Sequence, residues 1–307
     1  MVINPRISNK KKLSNKKKIF LTIFFTSISL FLSLNYSADR FNYINEFEKI
    51  INAPWGFLNT NGFFIVFFGS IFSFMDQYSV YVLYALFVNL LSSYTYTLLM
   101  IDKKADSKSW AFYIFFLMPL YSIQLKASLG LSFALLTFYN FKGFFYKFIS
   151  LSSHYSLIFI YVIKQKFKIK YILFLSILTY YLYIYIGFKK IDAYRQIYLL
   201  TNKEDLFSWL NYKVLLVILL LLYSYFFQKK IKFIKDAQKI ILIGLTTYYS
   251  FYMFPILAHR LSELCFAFVP FLFKKNNNNS MLHFLLLIIT VFLGIYNILN
   301  NKLWLVQ

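Results

Sequence analysis

The sequence predicts an all-α, polytopic integral membrane protein with about nine to eleven membrane helices, some of them short or re-entrant. Three observations carry that expectation. First, 60% of the 307 residues are hydrophobic and 23% aromatic, while only 14% are charged. The mean hydropathy of +0.59 is far above that of a soluble domain of this length. Second, the net charge of +22 is gathered in short lysine clusters between apolar runs. Cytoplasmic loops of membrane proteins have that distribution, so the basic surface faces lipid headgroups and nucleic acid is not an expected partner. Third, apolar segments recur along the chain at 19–36, 57–75, 78–100, 110–124, 127–141, 148–163, 171–188, 212–227, 240–257, 261–273 and 281–299. Several fall short of the ~20 residues that a straight span needs, which predicts broken or re-entrant segments.

Residues 1–18 form a basic tail, with Arg6, Lys10 to Lys12 and Lys16 to Lys18 ahead of the run "IFLTIFFTSISLFLSLNY". The run is about the length of a full span and no small-residue cleavage site follows it. It reads as an uncleaved first helix with the N-terminus in the cytoplasm. Residues 19–307 then form a single transmembrane domain.

If every segment crosses, the inside loops include 164–170, 228–239 and 274–279, the densest lysine clusters. The same scheme places "IDKKADSKS" at 101–109 outside, against the positive-inside rule, and one re-entrant segment would change that. The principal outside loops lie near 37–56 and 189–209, on the same side as the turn at Ala258 to Glu263. The chain shows no internal repeat and no Gly-rich phosphate loop.

Cys265 is the single cysteine, so an internal disulfide, a CxxC pair and a thiolate zinc site are excluded. His154, His259 and His283 show no ligand spacing in the sequence. The expected chemistry therefore runs without a metal or another cofactor.

Ionisable groups within or at the edge of a membrane are costly, which makes each a functional candidate, with ion pairing for structure as the rival explanation. Arg260 stands out because the chain has 29 lysines and four arginines. Its planar guanidinium suits bidentate phosphate binding. The alternative is an ion pair with Glu263, three residues on along one helical face. His154, in "LSSHYSLIFIY", is either a proton donor or acceptor or a histidine satisfied by the Ser152 or Ser156 hydroxyl. Asp39 directly follows the first helix, and Tyr43 shares its face if the segment is helical. A carboxylate here accepts a proton from a sugar hydroxyl or stays a solvated loop charge. Lys126 interrupts a long apolar stretch, as a ligand or as a loop residue reaching the headgroups. Arg195 belongs to a loop or surface helix and is singled out by its rarity.

Taken in order, these pieces resemble the EpsG family of polysaccharide polymerases, relatives of the Wzy O-antigen and capsule polymerases. The pieces are Asp39 and Tyr43 in "ADRFNYINEF", the Q-x-[RK]-x-x-[LA] pattern at Gln124, Lys126 and Leu129, the H-x-S of His154 and Ser156, and the late arginine Arg260. Family members usually carry arginine where this chain has Lys126, and glycine where it has Ser37. The resemblance implies a bacterial inner-membrane enzyme acting at the outer face. Its substrate would be oligosaccharide repeat units on a polyprenyl diphosphate, joined into O-antigen, capsule or exopolysaccharide. It also implies a flippase and a chain-length regulator as partners. In that reaction Arg260, Lys126 and Arg195 meet the diphosphate charge, His154 or Asp39 takes the acceptor proton, and Tyr43, Gln124 and Glu263 line the substrate site. Two alternatives stand beside it: a GT-C-type glycosyltransferase using a polyprenyl phosphate donor, to which Glu46 and Glu48 would belong, and a flippase for the same lipid-linked glycan.

Overall fold

The computed structural model describes residues 5–37, 39–54, 63–139, 144–154, 211–228, 231–250, 255–275 and 281–300, with a few single positions between 157 and 178. The fold is all-helical, and no strand occurs among the described residues. The chain divides into two compact units. One comprises Met1–Ala105, Trp110–Tyr155 and Gly294–Gln307, and the other Asp106–Ser109 and Ser156–Leu293.

In the first unit α1 (Pro5–Tyr36) packs along α4 (Gln77–Asp102), with α2 (Arg40–Asn52) and the short α3 (Phe63–Ile71) beside them. Within α1 and α4 lie two stretches long and apolar enough to cross a membrane, Asn15–Tyr36 and Gln77–Asp102. Both bury small and polar residues and also turn large apolar ones outward, while α4 further buries Val80, Tyr81, Tyr84, Val88 and Leu99. On α1 the buried stripe is Thr22, Phe25, Thr26, Ser29 and Ser33, while Ile19, Phe20, Ile23, Phe24 and Phe31 face outward. On α4, Asn89, Ser92, Ser93, Thr95 and Thr97 are buried, and Leu86, Phe87 and Leu90 are exposed. Small and hydroxyl-bearing residues let helix backbones approach closely and hydrogen-bond across the contact. An outward stripe of Phe, Ile and Leu marks a surface for a membrane or a partner.

The expected segment at 110–124 takes the form of a broken path. After α5 (Ser107–Phe112) a wide π turn, Tyr113–Leu117, leads into α6 (Met118–Ile123). Pro119 explains the widening, because in a regular helix its ring would meet the carbonyl of Phe115. At Gln124 (φ −89°, ψ 66°) the helix stops, and α7 (Leu125–Tyr139) begins directly afterwards and pairs with α8 (Phe144–Ser153). The expected membrane segment at 57–75 is helical only over the nine residues of α3 among its described positions, and a turn follows at Phe72–Phe74.

In the second unit α9 (Tyr212–Phe227) and α11 (Pro255–Phe266) both pack on α10 (Lys232–Ser250). A 3-10 turn (Val269–Phe271) follows α11, and α12 (Met281–Asn300) begins in this unit. Leu215, Leu219, Leu222 and Phe226 on α9 and Phe284, Leu285, Ile288 and Phe292 on α12 form outward apolar stripes.

The α10–α11 contact closes at Gly244, where a Cβ would collide with Cβ of Cys265. Gly244→Ala should therefore force the two helices apart and lower stability by about 1–3 kcal/mol. Thermal melting of the detergent-solubilised protein reads this directly, and a variant melting with wild type would show that the contact yields freely.

Candidate functional site

Of the sequence stretch "ADRFNYINEF", Arg40 to Phe47 lie in α2, and that places the functional side chains. Asp39 is the N-cap position of α2, and its carbonyl accepts the Tyr43 amide at 3.0 Å. With 3.6 residues per turn, Asp39, Tyr43 and Glu46 fall on one face. Tyr43, Phe47 and Ile50 are buried, which fastens this face into the unit's core against Tyr81 and Tyr84. Arg40 caps the preceding helix: its guanidinium donates to Leu34 O at 2.6 Å, one of the carbonyls left over in the last turn of α1.

Lys126 reaches this face from the first turn of α7. Its backbone N–H donates to the Tyr43 hydroxyl at 3.1 Å. Its ammonium meets both carboxylate oxygens of Glu46, at 2.8 Å and 2.7 Å, and lies 5.6 Å from the centre of the Tyr43 ring. Burial first, then the neighbouring Tyr84 and the negative charges of Asp39 and Glu46, push the Tyr43 hydroxyl well above its ordinary pKa. It stays a neutral hydroxyl able to accept the amide. Asp39, Tyr43, Glu46 and Lys126 thus form one electrostatic group, with Gln124 in the helix break two residues before Lys126.

His154 directly follows α8, its amide donating to Ser150 O at 3.2 Å. Helices α7 and α8 run antiparallel: Ser150 Oγ donates to Gly130 O at 2.9 Å, and the Phe133 and Tyr146 rings lie 5.9 Å apart. The register puts Lys126 and His154 at the same end of the pair. Ser152, one of the two hydroxyls expected to satisfy His154, donates to Ile149 O at 3.0 Å; Ser156 lies outside the described residues.

The remaining candidates divide. Arg195 lies outside the described residues. Arg260 is placed by its backbone on α11 of the second unit, three residues before Glu263. Glu263 is buried and accepts from Lys213 Nζ at 2.7 Å, a pairing between α9 and α11. Among the described residues, no three His, Cys, Asp or Glu side chains gather as metal ligands.

Two features escape the sequence. Glu46 is read there only as half of an acidic pair, since nothing local points to a partner 80 residues on. The other is a buried trio in the second unit. Asp106 accepts from Ser109 N at 3.0 Å and forms an ion pair with Lys108 Nζ at 2.8 Å, and Lys108, fully enclosed, also contacts His283 Nδ1. The ammonium sits 4.7 Å and 4.9 Å from the centres of the Tyr223 and Phe273 rings. Burial lowers the Lys108 pKa, and Asp106 draws it back up. The signal available was D-x-x-S, an N-cap pattern, in a run that otherwise reads as a solvated loop.

Tyr43→Phe should cost about 1–3 kcal/mol, because it strands the Lys126 amide at the helix break. Glu46→Gln, at a part-exposed ion pair, should cost no more than about 1 kcal/mol. Thermal melts that reverse this order would contradict the assignment. Lys108→Met should be the most damaging of the three, at about 3–5 kcal/mol, since it leaves the buried Asp106 carboxylate without its counter-charge; a near-native melt would show that the pair contributes little. The chain matches no protein-family model, no curated protein and no solved structure.

Proposed function

We propose that this chain is a multi-pass protein of the bacterial inner membrane, with a cytoplasmic N-terminus, that polymerises lipid-linked oligosaccharide repeat units. The donor is a growing glycan on a polyprenyl diphosphate, and the acceptor is a sugar hydroxyl of the next lipid-linked unit. One observation carries the reading. Asp39 and Tyr43 come together with Gln124 and Lys126 across more than 80 residues of chain, through the Tyr43 hydroxyl and the Lys126 amide. The first two pieces of the resemblance therefore fall in one place, and the third, His154, falls at the same end of the α7–α8 pair. The buried hydroxyl stripe and outward Ile and Phe side chains of α1 support the membrane setting.

In this reaction the acceptor oxygen attacks the anomeric carbon and the bond from that carbon to the diphosphate oxygen breaks. The electron pair leaves with the diphosphate. Lys126 meets the accumulating charge, and a fixed cation there lowers the barrier because it needs no reorganisation. The acceptor proton passes to Asp39 or His154. Arg260 takes its diphosphate role from the resemblance. Glu46 as a free acid would suit the GT-C alternative, but its carboxylate is engaged by Lys126.

Deletion of the gene in its host, with surface and lipid-linked glycans resolved by size, tests the reading. The expected outcome is collapse of a polymer ladder to a single repeat unit, restored by wild type but not by Arg260→Ala at equal protein level. An intact ladder lacking one sugar would favour the GT-C enzyme, and substrate trapped on the cytoplasmic side would favour a flippase.

A further inference from the structure

We propose that Glu46 is a placeholder anion, which holds the Lys126 ammonium where the substrate diphosphate binds and gives it up when the diphosphate arrives. The identity of the incoming anion rests on the polymerase reading; the exchange itself rests on the geometry. Both carboxylate oxygens of Glu46 lie within 2.8 Å of Lys126 Nζ, so the carboxylate fills the seat that two phosphate oxygens would take. The two side chains are 24% and 25% exposed, and an anion from outside can reach them. A pair built only to hold the fold would gain nothing from that access.

The surroundings fix one partner and leave the other able to move. The Lys126 backbone is tied to the Tyr43 hydroxyl at 3.1 Å, and Tyr43 is itself buried in the core. Glu46 is held by its ammonium contact alone among its described hydrogen bonds and ion pairs. Lys126 also stands at the N-terminal end of the 15-residue helix α7, whose dipole favours an anion there beyond the charge of the lysine. A carboxylate already pairs with the Lys126 ammonium, so the preference of this lysine for an anion is visible without a ligand. The identity of the cation fits exchange as well. An ammonium is a compact point charge with three donors and can pass from one oxygen to the next, whereas a guanidinium fork would lock onto Glu46 in bidentate fashion.

The test uses the full chain purified in detergent, with inorganic pyrophosphate as the probe. Binding is measured for wild type, Glu46→Gln, Lys126→Met and the double variant. Removing the placeholder should tighten pyrophosphate binding roughly fivefold, the scale of a part-exposed ion pair. The gain should vanish when Lys126 is also replaced. Unchanged or weaker binding in Glu46→Gln, no measurable binding in either form, or a gain that persists in the double variant would each overturn the exchange. Should Glu46→Gln not fold, Glu46→Asp, with its carboxylate drawn back from Lys126, should show a smaller gain, and its absence would count the same way. The two ideas fail separately. A ladder that survives gene deletion beside the expected binding cycle removes the polymerase and keeps the exchange, and a collapsed ladder without tighter binding does the reverse.

Discussion

The polar node at Ser33 is the interaction on which the first unit depends. The Ser33 hydroxyl lies 2.6 Å from Ser122 O, accepts the Asn89 amide at 2.8 Å, and sits beside a backbone carbonyl that accepts the Tyr81 hydroxyl at 2.7 Å. Three helices, α1, α4 and α6, meet through one small side chain. In an apolar surrounding a buried polar group left alone costs several kcal/mol, so these groups can be satisfied in few arrangements. Apolar contact among Phe, Ile and Leu tolerates sliding; a serine hydroxyl with fixed partners does not. The node sets the rotation of α1 against α4 and carries Tyr81 with it.

Tyr81 passes that order toward the candidate site. Its ring stacks on Tyr43 at 6.3 Å, and Tyr43 also lies 6.2 Å from Tyr84. Aromatic pairs at such separations add specific geometry to burial. The Tyr43 hydroxyl is therefore held from behind when it accepts the Lys126 amide, and the position of Lys126 is inherited from the packing of α1, α4 and α2. Gly69 closes the other side of α2, because a Cβ there would stand 2.9 Å from Ile50 and 3.0 Å from Phe47.

Much of this was legible in the sequence, for identifiable reasons. A long apolar run shows itself by composition, so α1 and α4 stand where they were expected. The interruption at Gln124 to Lys126 marked a real break because polar residues are rare enough in this chain to be noticed. The shared face of Asp39 and Tyr43 followed from helical spacing once the segment was taken as helical. What could not be read was pairing across the chain. Glu46 and Lys126 each look like isolated charges, and their meeting depends on α2 and α7 packing around α4. Lys108 was harder still. In "IDKKADSKS" it is one of three lysines, and nothing local separates the enclosed one from its neighbours. The direction of the helices was hidden too, since α1 buries a hydroxyl stripe and exposes Phe20, Phe24 and Phe31, the reverse of what periodicity in a soluble chain would mean.

The break between α6 and α7 ties fold to chemistry. Interrupting a helix inside an apolar segment exposes backbone groups that lipid cannot satisfy, so such interruptions persist only where protein or a water-filled cavity supplies partners. Here Gln124 N still donates to Leu120 O at 3.0 Å, and Ser128 N donates to Gln124 O at 2.9 Å. The Lys126 amide turns outward to Tyr43. An unbroken helix would have used that amide internally and carried Lys126 along a continuous apolar face. The break instead starts a new helix next to the lysine, and the Lys126 ammonium finds its counter-charge in Glu46. The helix break, the lysine and the acidic face of α2 are accordingly one device, and none of the three makes physical sense without the other two.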